Sequence, residues 1–278
     1  QADMIVTPTD LEAQSIARWG ISPSRLLKLP MAIERAEVTG GVRGRLRKRL
    51  GIGLDSLLVG QLGALHPNKG THDLVRAIER LNEHRTADKL VHLVLAGAPS
   101  PEFDAFQSQL PASTSRWLSI LGPLPPADVP NFYAAIDLFS MPSRTDSFGI
   151  VFLEAWANAK PVVAAAAGGV PEVVQHEQTG LLVPFGDVVA LAESIGGLLT
   201  DHEKARRLGE AGEALVRLGY TWNDRFATLR ERIEEVVAAV RAQPPNSART
   251  TRSVGPMSNK KWRIRSDALD PARVERHL

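Results

Sequence analysis

The sequence of 278 residues contains no cysteine. It can therefore form no disulfide and use no thiolate, which fits a reducing compartment, and we expect a cytoplasmic protein. No apolar run is long enough to cross a bilayer. The net charge of +2 is too small to indicate nucleic-acid binding, and the apolar content of 44% is typical of a globular protein with a sizeable core.

Motifs for several kinds of chemistry are also missing. There is no Gly-Lys-Ser/Thr of a Walker A loop and no Gly-x-Ser-x-Gly, and the seven histidines lack metal-ligand spacing. Gly51-Ile52-Gly53 precedes an apolar strand instead of following one, so it is not a dinucleotide fingerprint. No Asp-x-Asp occurs, which removes the usual metal clamp on a nucleotide diphosphate. We therefore predict no metal site and no resident cofactor.

What the sequence does contain is a regular alternation of apolar strands and helical segments from Leu57 to Val183. This pattern predicts an α/β fold, with a Rossmann-like parallel sheet covered by helices on both faces. Residues 244–278 are rich in Arg, Ser, Thr and Pro, and we predict a basic, mostly disordered tail there. Peripheral contact of this tail with an anionic membrane surface is an alternative, but a solvated tail is favoured.

The most informative stretch places two carboxylates, Asp146 and Glu154, on either side of Phe148-Gly149. An apolar strand leads into it and a helix leads out, so a helix N-terminus lies beside both acids and can bind anions. A single such pair is explained about equally well by an Asp that favours the helix dipole and a solvated Glu. Three features favour a ligand: Gly149 permits close backbone approach, Ser147 adds a hydroxyl, and the site follows a central strand. A sugar nucleotide carries the hydroxyls and phosphates that such a site suits.

A second loop, Gly63 to Gly70, follows the first strand of the alternation. Its glycines let the backbone approach a diphosphate, and Lys69 can neutralise the diphosphate as it departs. Taken alone, Lys69 is more simply explained as a solvated loop lysine.

Two further loops follow strands at the same predicted edge. Gly168-Gly169 opens a short helix and could hold a diphosphate oxygen or a sugar hydroxyl, while the main chain at Leu121-Gly122 could hold a base. A plain turn explains the first about as well, and explains the second better when it is taken alone.

Taken together and in this order, the motifs resemble the C-terminal half of the retaining glycosyltransferases of the GT-B fold, family 4, also called glycosyl transferases group 1. The resemblance covers about residues 1–240. The runs that carry it are Asp146-Ser147-Phe148-Gly149, Leu153-Glu154-Ala155, Pro161-Val162-Val163, Gly168-Gly169-Val170-Pro171-Glu172 and Thr179-Gly180-Leu181-Leu182-Val183.

The resemblance implies a role for each matching position. Glu154 would bind the ribose hydroxyls, Asp146 the hydroxyls of the transferred sugar, and Lys69 the diphosphate, without a metal ion. Lys69 and Asp146 are the predicted catalytic residues. The predicted donor-binding residues are Gly63, Ala64, Leu121, Gly122, Arg144, Ser147, Phe148, Gly149, Ile150, Glu154, Gly168 and Gly169, with the amides of Phe148, Gly149 and Ile150 contacting sugar and diphosphate.

Two positions depart from the family pattern. Asp146 stands where Glu is commoner, which shortens the reach of the carboxylate by one methylene. Ala64 stands where the family often has Arg, so the phosphate clamp is expected to depend on Lys69, helped by Arg144.

The resemblance also predicts the domain organisation and the partners. Residues 1–38 match only the end of an N-terminal acceptor domain with its crossover, and 39–243 the nucleotide-sugar-binding domain, so we expect a fragment. The expected partners are a nucleoside diphosphate sugar and a sugar, lipid-linked or small-molecule acceptor, with no nucleic acid. A non-catalytic sugar-nucleotide-binding module and a GT-B epimerase are the alternatives.

Overall fold

A small parallel sheet forms the start of the chain. The computed structural model describes residues 2–242, so the predicted tail at 244–278 lies outside the described residues. Strands β1 (Ile5–Thr7) and β2 (Leu26–Lys28) pair in parallel and are connected by helix α1 (Asp10–Ala17). This pair is separate from the main sheet.

The main sheet has six parallel strands and confirms the predicted α/β fold. Its spatial order is β5-β4-β3-β6-β7-β8. The order reverses between the first and fourth strands of this sheet, β3 and β6, which is the position where open α/β sheets bind ligands. The strands are β3 (Leu58–Leu62), β4 (His92–Ala96), β5 (Leu118–Ile120), β6 (Leu138–Met141), β7 (Val162–Ala165) and β8 (Leu181–Val183).

Helices connect these strands and cover both faces of the sheet, as predicted. Neighbouring positions on one strand belong to opposite cores: Leu58 packs in one apolar cluster with Phe139 and Trp156, and Val59 in another with Leu74. The remaining helices are α2 (Arg35–Val38), α3 (Arg43–Leu50), α4 (Thr71–Asn82), α5 (Pro101–Gln107), α6 (Val129–Ala135), α7 (Ile150–Ala157), α8 (Val188–Thr200), α9 (His202–Gly219) and α10 (Trp222–Ala242).

A buried arginine fastens the amino ends of the two central strands. Arg47 on α3 is fully buried, and its guanidinium donates hydrogen bonds to the carbonyls of Gly53, Ser56 and Ala135 at 2.6, 2.7 and 2.8 Å. It also pairs with Asp137 at 2.8 Å, just before β6. Because these partners lie next to the starts of β3 and β6, Arg47 holds both strands from the edge opposite their carboxyl ends.

Contacts group the chain into a first unit that ends at Val237 and contains both sheets. Of the second unit, only 238–242, the end of α10, is described. The predicted boundary at residue 38 stays a prediction. Across 2–242, none of the helices combines the length and the apolar character that a membrane crossing requires.

Candidate active site

Two loops meet where the strand order reverses. The loop after β3 forms a turn at Pro67–Lys69 before α4, and the loop after β6 runs from Pro142 to Gly149 before α7. The N–H of Arg144 donates to the carbonyl of Asn68 at 2.8 Å, which joins the two loops directly. The switch point therefore brings together the two segments that carry Lys69 and Asp146.

The structure brings these two predicted catalytic residues into an ion pair. The Nζ atom of Lys69 donates to Oδ1 of Asp146, and the side chains are 31% and 13% exposed. The other oxygen of Asp146, Oδ2, is buried and has no hydrogen-bond partner within residues 2–242. An ionised carboxylate with an unused acceptor can take a hydroxyl hydrogen bond from a ligand.

A cleft of about 310 Å³ opens beside this pair. The size is at the lower end for a small-molecule site. Pro8, between β1 and α1, and Met31, shortly after β2, supply part of its wall, and neither residue was singled out from the sequence. The predicted site residues that line it are Gly63, Ala64, Lys69, Asp146, Ser147, Phe148, Gly149 and Ile150.

The N-terminus of α7 forms one side of the cleft. Gly149 is its N-cap with a φ of 80°, a left-handed conformation that favours glycine, and no side chain caps the helix. The first N–H groups of a helix have no partner within the helix, and its dipole places partial positive charge there. The arrangement therefore offers backbone donors to an anionic ligand beside Lys69.

Gly168 and Gly169 do not line the cleft but support the loop that does. The N–H of Gly169 donates to the carbonyl of Asp146 at 2.8 Å. A Cβ atom at position 169 would lie 1.9 Å from the carbonyl oxygen of Ser147, so only glycine fits this close approach. These contacts support the backbone of Asp146 and Ser147 through residues that do not line the cleft.

Glu172, three residues further on, joins the segment that follows β7 to α1 and β2 near the start of the chain. Its two carboxylate oxygens accept hydrogen bonds from the N–H groups of Asp10 and Leu11 at 2.7 and 2.8 Å, at the start of α1. Lys28 of β2 donates to the same carboxylate at 2.9 Å. Burial raises the pKa of Glu172, but these hydrogen bonds and the ion pair outweigh it, so the pKa lies below its ordinary value.

Replacing Glu172 by alanine should lower the free energy of unfolding by about 1 kcal/mol at neutral pH, the scale of a lost helix cap. A lowered carboxylate pKa adds stability above its unfolded value and loses it as the pH falls through the folded value. The difference from wild type should therefore shrink in acid. Urea unfolding at several pH values measures it, with Glu210→Ala, an exposed member of an i,i+4 pair, as the control. A pH-independent difference would contradict the role of the carboxylate charge.

Glu154 lies one turn beyond Ile150 and Val151 on α7, but it is not among the residues that line the cleft. Its side chain is half-buried, and Oε2 accepts a hydrogen bond from the hydroxyl of Tyr133 at 2.6 Å. Burial raises the pKa of Glu154, and this hydrogen bond opposes the rise. Tyr133 could not be singled out from the sequence, because it lies 21 residues earlier on a different helix.

Three other predicted residues lie apart from the cleft. The carbonyl of Gly122, next to Leu121, accepts a hydrogen bond from the N–H of Gly97 at 2.8 Å, which joins the loops after β4 and β5. Arg144 is exposed, and its guanidinium lies 5.9 Å from the centre of the Phe185 ring. Within the described residues, no group of three His, Asp or Glu side chains is placed to hold a metal ion.

Several solved structures share this architecture, and some of them are described as glycosyltransferases. The fold is similar to sucrose-phosphate synthase from Thermosynechococcus elongatus, with a TM-score of 0.73 and 25% identity over 86% of this chain and 59% of that one. It is also similar to Anabaena HepE in complex with UDP-glucose, with a TM-score of 0.73 and 23% identity over 86% of this chain and 64% of that one. The C-terminal domain of LpcC from Francisella tularensis matches over 99% of its own length and 68% of this chain, with a TM-score of 0.58 and 22% identity.

The sequence comparisons give the family. The model for glycosyl transferases group 1 matches residues 42–215, and the chain belongs to that family. A D-inositol 3-phosphate glycosyltransferase from Acidothermus cellulolyticus is 36% identical over 71% of this chain and 46% of its own length. A GDP-mannose-dependent alpha-(1-6)-phosphatidylinositol monomannoside mannosyltransferase from Mycolicibacterium smegmatis is 34% identical over 68% of this chain and 50% of its own length. The chain thus spans about half the length of these relatives.

Proposed function

We propose that this chain is the donor-binding portion of a retaining glycosyltransferase, which transfers a sugar from a nucleoside diphosphate sugar to a sugar, lipid-linked or small-molecule acceptor. The observation that carries the proposal is the Lys69–Asp146 pair beside the N-terminus of α7, with one oxygen of Asp146 unused. The cation and the helix N-terminus suit a diphosphate, and the unused acceptor suits a hydroxyl of the same ligand.

This geometry supports the roles proposed for Lys69 and Asp146, and the resemblance to the family supports the ribose role of Glu154 and the absence of a metal ion. The diphosphate lies against Lys69 and the N–H groups at the start of α7, which stabilise its charge as the bond to the sugar breaks. Asp146 accepts a hydrogen bond from a sugar hydroxyl through Oδ2 and orients the sugar. Glu154 accepts hydrogen bonds from the ribose hydroxyls, and no metal ion takes part.

The relatives support a sugar nucleotide as the donor. One relative is described as GDP-mannose-dependent, and HepE, which shares the fold, was solved with UDP-glucose. These two donors differ in base and sugar, so nucleotide binding is to be tested with both UDP and GDP.

The alternative is a sugar-nucleotide-binding module without transferase activity. Ala64 favours it, because this residue lines the cleft and brings no charge to the diphosphate. Sugar transfer by the complete gene product, assayed with several nucleotide sugars and mixed acceptors, supports the transferase. Tight nucleotide binding without transfer or donor hydrolysis supports the module.

The ribose role of Glu154 is tested by Glu154→Ala. The substitution should weaken UDP or GDP binding by about 1.5–3 kcal/mol, the scale of hydrogen bonds to a charged group. Titration calorimetry measures this, with circular dichroism to check the fold and Glu210→Ala as the control. The deoxyribose nucleotide dUDP, which lacks one ribose hydroxyl, should lose less affinity on this substitution than UDP. Equal losses for UDP and dUDP would assign Glu154 a role away from the ribose.

A further inference from the structure

Tyr133 lies fully buried on α6, next to α7. Its ring packs edge-on against Phe132, with 5.3 Å between the ring centres, and lies 5.9 Å from Phe139. A tyrosine in an apolar cluster needs a partner for its hydroxyl, because an unpaired buried hydroxyl is costly. Packing fixes the ring, so the direction of its hydroxyl is fixed as well.

The partner is the carboxylate of Glu154. The hydroxyl lies 2.6 Å from Oε2 of Glu154 and 3.5 Å from the carbonyl of Val151, which is at the limit of hydrogen bonding. The carboxylate is therefore the principal acceptor. Within residues 2–242, the Tyr133 hydroxyl is the one hydrogen-bond donor to this carboxylate, and Oε1 accepts no hydrogen bond there.

We propose that Tyr133 is a positioning residue of the donor site, whose hydroxyl holds Glu154 in the orientation and the ionised form that accept the ribose hydroxyls. The inference rests on the ribose role proposed for Glu154 and adds a residue that touches no substrate. If Tyr133 were only a packing residue, its hydroxyl would have no effect on the charge state of Glu154. The effect of removing the hydroxyl on that charge state can be measured.

The charge state of Glu154 should make nucleotide binding depend on pH. Burial raises the pKa of Glu154, the hydrogen bond from Tyr133 lowers it, and Tyr133 is the one titratable group in the described residues that acts on it. Burial also raises the pKa of Tyr133 well above its ordinary value, so the phenol remains a donor. Removing the hydroxyl leaves only the burial effect, and the pKa of Glu154 then rises further. Nucleotide binding, which needs the carboxylate, should be lost at a higher pH.

The experiment compares Tyr133→Phe with Tyr220→Phe in the complete gene product. Tyr220 is the only other tyrosine, and its hydroxyl makes no hydrogen bond within residues 2–242, so it is a matched control. At neutral pH, Tyr133→Phe should bind UDP or GDP about threefold to tenfold more weakly. This loss corresponds to part of the free energy of one hydrogen bond to a charged group. The pH below which binding is lost should move upward, because the pKa of Glu154 rises when the hydrogen bond from Tyr133 is removed. Tyr220→Phe should match wild type in both.

A double-mutant cycle shows whether Tyr133 acts through Glu154. On the Glu154→Ala background, Tyr133→Phe should cause no further loss of affinity. Suppose that Tyr133→Phe keeps the wild-type nucleotide affinity and pH dependence, while Glu154→Ala binds nucleotide more weakly. This result would overturn the inference and leave the proposed function standing. An undiminished loss on the Glu154→Ala background would also overturn it. If the wild-type protein bound neither UDP nor GDP, the proposed function and the inference would fail together.

Discussion

Lys69→Ala in the complete gene product should lower turnover by roughly a hundredfold to a thousandfold, as losing one preorganised donor to a developing anion does in other enzymes. Donor affinity should fall much less, because the charge on the departing diphosphate is larger in the transition state than in the bound donor. Among the described residues that line the cleft, Lys69 is the only cation, so no neighbour replaces it. Steady-state kinetics and calorimetry separate the two losses.

Two comparisons sharpen this result. Lys89→Ala removes an exposed lysine outside the cleft and should behave as wild type. Excess EDTA should leave wild-type turnover unchanged, because the proposed mechanism assigns the diphosphate charge to Lys69 and not to a metal ion. Equal losses of turnover and donor affinity in Lys69→Ala would indicate simple ground-state binding, and an absolute requirement for a divalent metal would contradict the metal-free proposal.

The order and type of the elements could be predicted because each depends on local sequence. Helix α3, for example, ends at a glycine, since Gly51 adopts the left-handed conformation that stops a helix. The strands of the main sheet are apolar because both faces are covered, which the continuous apolar runs already indicated. The meeting of Lys69 and Asp146, 77 residues apart, followed from the rule that parallel strands end at one edge.

Contacts made by side chains across long separations could not be predicted. The glycine pair at 168–169 was interpreted as a place that could hold a diphosphate oxygen or a sugar hydroxyl, but a sequence does not say whether a ligand or another loop approaches a glycine pair. The structure places the backbone of Asp146 and Ser147 there. The partner of Glu154 was missed for a similar reason, because helical spacing gives the face of a residue but not the group that meets it.

The burial of one cation in a basic helix could not be predicted from the sequence either. The run 43–50 on α3 has five Arg or Lys residues, and by sequence all of them could be solvated. The structure buries Arg47 and leaves Arg45 exposed. Burial lowers the pKa of Arg47 and Asp137 opposes that effect, so the guanidinium depends on its hydrogen bonds and ion pair for compensation.

Arg47→Met should therefore lower the free energy of unfolding by about 3–5 kcal/mol, the scale of breaking a buried pair from one side. Methionine keeps much of the apolar stem, but it removes the guanidinium donors to the carbonyls of Gly53, Ser56 and Ala135 and leaves Asp137 with Arg43 as its remaining described ion-pair partner. Arg45→Met removes the same charge from the same helix at an exposed position, and should change stability by less than about 0.5 kcal/mol.

Urea unfolding followed by circular dichroism measures both variants, and nucleotide binding below the transition shows whether the donor site is affected. Because Arg47 holds β3 and β6 at their amino ends, while Lys69 and Asp146 follow their carboxyl ends, the folded fraction of Arg47→Met should keep its nucleotide affinity. A small loss of stability would mean that water or Arg43 replaces the guanidinium. A large loss of affinity in the folded protein would mean instead that the two edges of the sheet are coupled through the central strands.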